Sequence, residues 1–365
     1  MTQIAATALV PPTYGVKYAG SKARLLPWIL ELVRTLNVRT VLDAFSGTTR
    51  VSQALARLGY TVVANDWAPW SRVFAQTFLL NRRTPAYYRP LVDELNALPG
   101  KDGWFTEHYG GDADRVGEKK PWQRHNTRKL DAIREKIDQY ALDEVETSTL
   151  LTALIFALDK VDNTLGHFGS YLRHWSARSY RPLTLETPDF LPAAKKHQVW
   201  QKDVFELLPL VETDLAYFDP PYGSANVKMP PSRVRYAGYY HLWKTVVLND
   251  RPELFGKVNR RKDSADANAY SPFEDFRRDP TGKSIAATAI ERLLREVRAP
   301  YVLLSYSSGA RATFEEVVGA IEAAGRLLRV QRTVYRRNVM AEMRWTHQWS
   351  SSPSPHYEYL FLMQK

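Results

Sequence analysis

The sequence contains no cysteine, which excludes disulfides, zinc–thiolate sites, iron–sulfur clusters and cysteine nucleophiles together. A reducing compartment is compatible with that. No apolar run approaches the ~20 residues of a membrane-spanning helix. Met1–Thr13 also lacks the basic-then-apolar pattern of a secretory signal. These absences lead us to expect a soluble, cytoplasmic protein. The eight histidines are scattered without a ligand-spaced pair, and His167 and His174 read as structural or phosphate-facing. No metal is expected. Acidic residues are in deficit, with Asp+Glu at 39 against Lys+Arg at 50, a net charge of +11. A basic surface on a folded chain points to a polyanionic partner, most often nucleic acid.

What is present is an ordinary globular composition. Hydrophobic residues make up 44% and charged residues 24% of the 365, which rules out wholesale disorder, collagen and coiled coil. The length allows two domains, or one large domain carrying an insertion. Val41–Phe45 is an apolar run ending in Ser46-Gly47; Val51, Ala54, Leu55 and Leu58 then recur at helical spacing, and Tyr60–Ala64 is a second strand-like run. Strand, glycine turn, helix, strand is a βαβ unit, so the fold class is α/β. From Arg82 to Val199 the texture changes. Thr147–Lys160 is apolar almost all round, as a buried helix would be. It is flanked by basic, aromatic stretches at 119–136 and 168–181. Strand-like runs resume at Asp214–Phe218, Tyr301–Ser305 and Tyr357–Leu362, with helical patterns at Ile285–Val297 and Phe314–Ile321. An α/β pattern that starts, stops and restarts implies an insertion. We place the main domain at 1–82 and 200–365, the insertion at 83–199, and a long loop at 224–283 with a weak helical patch around Tyr239–Val247.

Two motifs carry chemistry. In Asp43-Ala44-Phe45-Ser46-Gly47, a glycine at the end of the first strand of a βαβ unit lets a ligand approach the backbone closely. Asp66 ends the next strand, about twenty residues on, where a carboxylate can hold ribose hydroxyls. The phosphate-binding glycines of a dinucleotide site are missing, so a nucleoside-type ligand is the better reading. The stronger signal is Asp219-Pro220-Pro221-Tyr222, directly after the apolar run Leu215–Phe218. The prolines force the chain out of the sheet at the strand's carboxyl end, the edge where α/β sheets bind ligands. They also hold the Asp219 carboxylate and the Pro220 carbonyl as a pair of acceptors, with Tyr222 as a flat aromatic face beside them. Such a set suits a planar ring bearing an exocyclic amine.

Asp219–Tyr222, together with Phe45-Ser46-Gly47, resembles the Dam-type α-class of DNA adenine-N6 methyltransferases. Lys17-Tyr18-Ala19-Gly20-Ser21-Lys22 is similar to that class's amino-terminal cofactor motif, Asn65-Asp66 to its ribose-binding acid, and Asp203-Val204-Phe205 to the element holding the cofactor's adenine. The resemblance implies a Rossmann-like methyltransferase sheet with an inserted, mainly helical target-recognition domain. It implies S-adenosylmethionine as cofactor, bound by Tyr18, Lys22, Asp43, Phe45, Gly47, Asp66, Asp203, Val204 and Phe205, with S-adenosylhomocysteine as product. Asp219, Pro220, Pro221 and Tyr222 would be catalytic. The partner would be double-stranded DNA, in a restriction–modification setting where a partner endonuclease could stand. Two departures stand out: Thr49 occupies the family's usual second-glycine position, and Tyr18 stands where Trp is common.

The chemistry needs no metal and no covalent intermediate. The N6 amine is a poor nucleophile because its lone pair is delocalised. Bonds to Asp219 and the Pro220 carbonyl would free that pair and stabilise positive charge on nitrogen. The adenine must be flipped out of the duplex to reach them. Arg124, Arg128, Lys129, Arg173 and Arg178 are expected to face DNA phosphates or base edges. Arg233, Arg235, Arg260, Arg261 and Lys262 are further candidates. Transfer to cytosine N4 or to an RNA adenine is the nearest alternative, and a non-catalytic DNA-binding module is the alternative outside enzymes.

Overall fold

The apolar runs of the sequence form the middle of one seven-stranded sheet. The computed structural model describes residues 10–114, 118–223, 235–265, 271–335 and 356–365. Its strands are β1 (Thr40–Asp43), β2 (Thr61–Asn65), β3 (Gln198–Trp200), β4 (Leu215–Phe218), β5 (Tyr301–Ser307), β6 (Arg326–Tyr335) and β7 (His356–Gln364). They lie in the order β6-β7-β5-β4-β1-β2-β3. The pairs β1–β2, β1–β4, β2–β3 and β4–β5 are parallel, whereas β7 runs antiparallel between β5 and β6. This is a mixed α/β fold with a mostly parallel central sheet.

Parallel strands are normally buried on both faces, and their sequences are correspondingly apolar throughout. Leu42, Val63, Ala216, Phe218 and Leu304 meet helices Ile285–Glu296 and Phe314–Ala324 on one face. Val41, Val62, Leu215, Tyr217 and Leu303 meet helices Leu26–Arg34 and Arg50–Arg57 on the other. A second core is helical. Trp70, Phe74, Tyr88, Phe105, Trp122, Leu154, Leu158 and Phe168 pack there around helix Glu144–Lys160. That helix opens with a reciprocal capping box, in which the Glu146 N–H donates to Asp143 and the Asp143 N–H to Glu146.

The structure adds three things to the expected pattern. First, the long loop expected over 224–283 is in part built structure. It holds helices Tyr236–Tyr239 and His241–Leu248 and an antiparallel pairing of Leu254–Phe255 with Arg260–Arg261. Leu242, Trp243 and Val246 are buried in the helical core, and the buried Arg134 guanidinium donates to the carbonyls of Val246 and Val247 at 2.7 and 3.0 Å. Residues 224–234 and 266–270 lie outside the described residues. Second, the sheet has two edge strands, β3 and β6, that no apolar run of the sequence marks. β3 is three residues long, and β6 is broken up by Arg326, Arg329 and Arg332, the charged sequence typical of an edge. Third, the helical core draws on residues outside 83–199, among them Val16, Trp70 and Phe74 upstream and Trp243 and Val246 downstream. Among the described residues, no helix is long and apolar enough to cross a membrane.

Candidate active site

The chain order reverses between β1 and β4, so the carboxyl ends of β1, β2 and β4 stand together, the place where open α/β sheets bind ligands. A cavity of about 550 Å³ opens there. It is bordered by Tyr18, Lys22, Asp43, Phe45, Gly47, Asp66, Asp203 and Val204, and by Asp219, Pro220 and Pro221. Phe205 is not part of this wall; it is stacked on Phe273, and the Arg292 guanidinium lies 3.9 Å from its ring centroid. Tyr222 also does not border the cavity.

One half of the cavity is organised by carboxylates at strand ends. Asp43, 1% exposed, accepts from the Ser52 hydroxyl at 2.6 Å through Oδ2, while Oδ1 has no partner among the described residues. Burial, against the Ser52 bond and with help from Asp219 and Asp66, pushes its carboxyl up to about 7. Asp66 accepts the Gly47 N–H at 2.8 Å on one oxygen and the Ala68 N–H at 2.9 Å on the other. Burial raises Asp66 too, opposed by these same bonds. Asp66 therefore shapes the glycine turn as well as lining the cavity. Gly47 is left-handed at φ 49°, and a Cβ there would come within 3.3 Å of the Tyr18 ring. Thr48 borders the cavity but Thr49 does not. Thr49 is wholly buried, and its hydroxyl accepts from Gln53 Nε2 at 2.9 Å.

The other half is built around Asp219. Its Oδ1 receives the Lys22 ammonium at 2.9 Å and the Tyr222 hydroxyl at 2.5 Å. Among the described residues no hydrogen bond reaches Oδ2. Burial raises the Asp219 carboxyl, against Lys22 and Tyr222, which lower it. The Tyr222 hydroxyl also meets Ser305 Oγ at 3.2 Å and Glu358 Oε2 at 3.5 Å, and Lys22 lies 4.8 Å above its ring. An aromatic group borders the same cavity: Tyr18 lies 5.4 Å from Trp70, 5.4 Å from Tyr236 and 4.5 Å from Tyr240 between ring centroids.

The basic residues expected to face DNA divide into two groups. Arg173 is exposed. Arg124 and Arg128 are also exposed, beside Asp112 and Asp102 at 2.7 and 3.3 Å. Lys129 instead donates to the carbonyls of Asn96 and Leu98. Arg178 donates to the carbonyls of Asp162 and Thr164 and pairs at 2.8 Å with the buried Asp162 carboxylate. Arg261, a further candidate, is 2% exposed and held between Asp250 and Asp263. Arg233 lies outside the described residues.

Several residues of the site escaped the sequence reading. Trp67 borders the cavity and is 58% exposed; its position directly after Asp66 was the available signal. Tyr236 and Tyr240 were signalled only by the aromatic density of Tyr236–Tyr240. Nothing in the sequence marked Phe273 or Glu358.

Comparison with known proteins bears on this arrangement. A profile of the D12 class N6 adenine-specific DNA methyltransferases matches residues 18–271. The modification methylase LlaI of Lactococcus lactis subsp. lactis is 28% identical over 343 residues, 88% of this chain and 51% of the relative. The type II methyltransferase M.NlaIII of Neisseria lactamica is 27% identical over 359 residues, 96% of this chain and 99% of the relative. M.FokI of Planomicrobium okeanokoites is 25% identical over 369 residues, again 96% of this chain but 53% of the relative. The chain thus spans about half the length of LlaI and M.FokI and nearly the whole of M.NlaIII.

Proposed function

That this chain belongs to the D12 class N6 adenine-specific DNA methyltransferases is the premise from which we propose that it methylates adenine N6 in double-stranded DNA, site-specifically. Enzymes of this family draw the methyl group from S-adenosylmethionine. The cavity suits that cofactor. Asp43 Oδ1, a buried oxygen without a protein partner among the described residues, is an acceptor for the cofactor's ammonium group. Asp66 would hold its ribose, with Trp67 and Val204 as apolar surfaces for its adenine. When bound, the cofactor supplies an activated methyl on a positively charged sulfur.

The observation that carries the reading is the asymmetry of Asp219. Lys22 and Tyr222 fix Oδ1, so the carboxylate is oriented before substrate arrives and Oδ2 is kept for the amine. Oδ2 and the Pro220 carbonyl accept the two amine hydrogens, which releases the nitrogen lone pair. They then stabilise the positive charge that develops on nitrogen. The remaining contribution is alignment of nitrogen with the methyl group. Asp, rather than Ser, at the first tetrapeptide position favours adenine over cytosine.

Access requires the adenine to leave the helix. We assign target recognition to the helical region around 83–199, with Arg124, Arg128 and Arg173 on phosphates, while Lys129 and Arg178 hold that region together. The names of the relatives, a modification methylase and type II methyltransferases, favour a restriction–modification role with a partner endonuclease. Modification-sensitive sequencing of DNA from cells expressing the protein reports base, position and site in one experiment. Asp219→Ala should lower methyl incorporation on the order of a hundredfold or more, because a preorganised transition-state partner is removed. DNA binding should survive, since it rests on phosphate contacts elsewhere. Methylation at near the parent rate would refute the mechanism.

A further inference from the structure

Lys22, Tyr222 and Asp219 share their buried corner with a second carboxyl that the chemistry above does not use. Glu358 lies on β7, 8% exposed, and its Oε2 is 3.5 Å from the Tyr222 hydroxyl oxygen. The same oxygen stands 2.5 Å from Asp219 Oδ1 and 3.2 Å from Oγ of Ser305, which is wholly buried on β5. Two carboxyl groups thus share one phenol oxygen. Neither Glu358 nor Ser305 borders the cavity, so any effect of theirs on the substrate passes through Tyr222.

Counting hydrogens decides how that oxygen can serve both. A phenol has one hydrogen, and at 2.5 Å Tyr222 gives it to Asp219. Toward Ser305 and Glu358 the phenol oxygen can then only accept. The Ser305 hydroxyl can donate to it. An ionised Glu358 cannot, and would set lone pairs against lone pairs. A protonated Glu358 can, through its O–H. Charge gives the same answer: Lys22, 2.9 Å from Asp219, acts on both carboxyls, and one cation balances one buried carboxylate. Burial raises the Glu358 carboxyl, Lys22 opposes the rise, Asp219 adds to it, and bonds to Tyr222 and Ser307 oppose it. The phenols of Tyr217 and Tyr236 also sense Glu358. Its strand neighbours are uncharged, Ser307 on β5 and Thr333 on β6, and His356, two residues earlier on β7, lies against Gly309.

We propose that Glu358 is a positioning residue that acts in its protonated form. Its O–H donates to the Tyr222 oxygen, and Tyr222 donates to Asp219 Oδ1. This directed chain keeps Asp219 ionised and leaves Oδ2 to the amine. Each bond in such a chain polarises and strengthens the next. The proposal rests on the methyltransferase reading above. Losing the donated hydrogen should slow methyl transfer about tenfold, the worth of one buried hydrogen bond.

The test compares Glu358→Gln and Glu358→Ala with the parent in single-turnover methyl transfer, at saturating S-adenosylmethionine and duplex carrying the target adenine. Glu358→Gln keeps an uncharged donor and should match the parent at neutral pH. Glu358→Ala should be about tenfold slower, with parent affinity for DNA and S-adenosylhomocysteine. As pH rises and Glu358 gives up its proton, the parent should slow while Glu358→Gln holds its rate. An infrared difference spectrum, parent minus Glu358→Gln at neutral pH, should contain the carbonyl stretch of a protonated carboxyl; this readout needs neither activity nor a folded Glu358→Ala. A carboxylate band in its place would overturn the proposal. So would Glu358→Gln as slow as Glu358→Ala, Glu358→Ala as fast as the parent, or the same alkaline slowing in parent and Glu358→Gln. A parent that shows the protonated carboxyl but methylates no DNA would instead overturn the activity from which the proposal starts.

Discussion

The two oxygens of Asp219 are not equivalent, and that difference can be tested through pH. Burial raises this carboxyl while Lys22 and Tyr222 oppose the rise. Removing the cation by Lys22→Met should therefore raise it further, since an opposite charge close by favours the ionised form. Catalysis needs the carboxylate. The acid limb of the single-turnover methylation rate against pH should then move to higher pH in Lys22→Met, and a limb that stays put would show that Lys22 does not sustain the charge. Asp43 gives the complementary case. Its carboxyl is pushed up to about 7 from an ordinary 3.8. A folded-state value above the unfolded one means the fold binds that proton more tightly, so its stabilisation is full below about 3.8 and is lost as pH rises through about 7. Asp43→Asn stays neutral and can still accept from Ser52. In the absence of cofactor it should melt like the parent near pH 4 and at a higher temperature than the parent at pH 8, while binding S-adenosylmethionine more weakly. Equal melting temperatures at pH 8 would count against a buried charge at Asp43.

At the scale of one element, helix Arg50–Arg57 begins on a residue in an awkward conformation. Thr49 is left-handed at φ 61°, where a β-branched side chain is strained by about 1–2 kcal/mol. Against this, its hydroxyl accepts from Gln53, and Gln53 bonds the Tyr14 backbone in both directions at 2.9 and 2.8 Å. The residue that departs from the family pattern thus anchors the segment leading into the Lys17–Lys22 motif, on the side away from the cavity. Thr49→Gly relieves the strain and removes the bond, and should lie within about 1 kcal/mol of the parent in urea unfolding. Thr49→Ala keeps the strain and removes the bond, and should be less stable than the parent by about 1–2 kcal/mol. If the two variants unfold alike, the left-handed backbone is not the source of the cost.

For the whole molecule, the charge of +11 is distributed unevenly in use. Lys129 and Arg178 direct their donors to carbonyls and the buried Asp162 carboxylate, and the buried Arg261 is held by Asp250 and Asp263, whereas Arg124, Arg128 and Arg173 remain on the surface. Replacing Arg124, Arg128 and Arg173 by glutamine should weaken DNA binding and flatten its salt dependence by roughly one unit of slope for each phosphate no longer neutralised. Cofactor affinity should stay as in the parent. An unaltered slope would place the duplex on another face.

How much of this was legible in the sequence follows from how local each feature is. The strands β1, β2, β4, β5 and β7 were readable because each carries a run of buried, mostly apolar residues. The Asp219–Tyr222 turn was readable because prolines and an acid at a strand end carry their own stereochemistry. Edge strands β3 and β6 were not, since an edge tolerates charge and shortness. Nor could the sequence alone tell which basic residues face outward: Arg178 and Arg173 look alike until the Asp162 carboxylate is seen beside one of them. The tertiary fold also decided that Lys22 and Tyr222 converge on a single oxygen of Asp219. Likewise it decided that Tyr236, from a stretch expected to be loop, borders the same cavity as Lys22 and Asp219. Those groups come from opposite ends of the Lys22–Tyr236 span of the chain, and no local periodicity records their meeting.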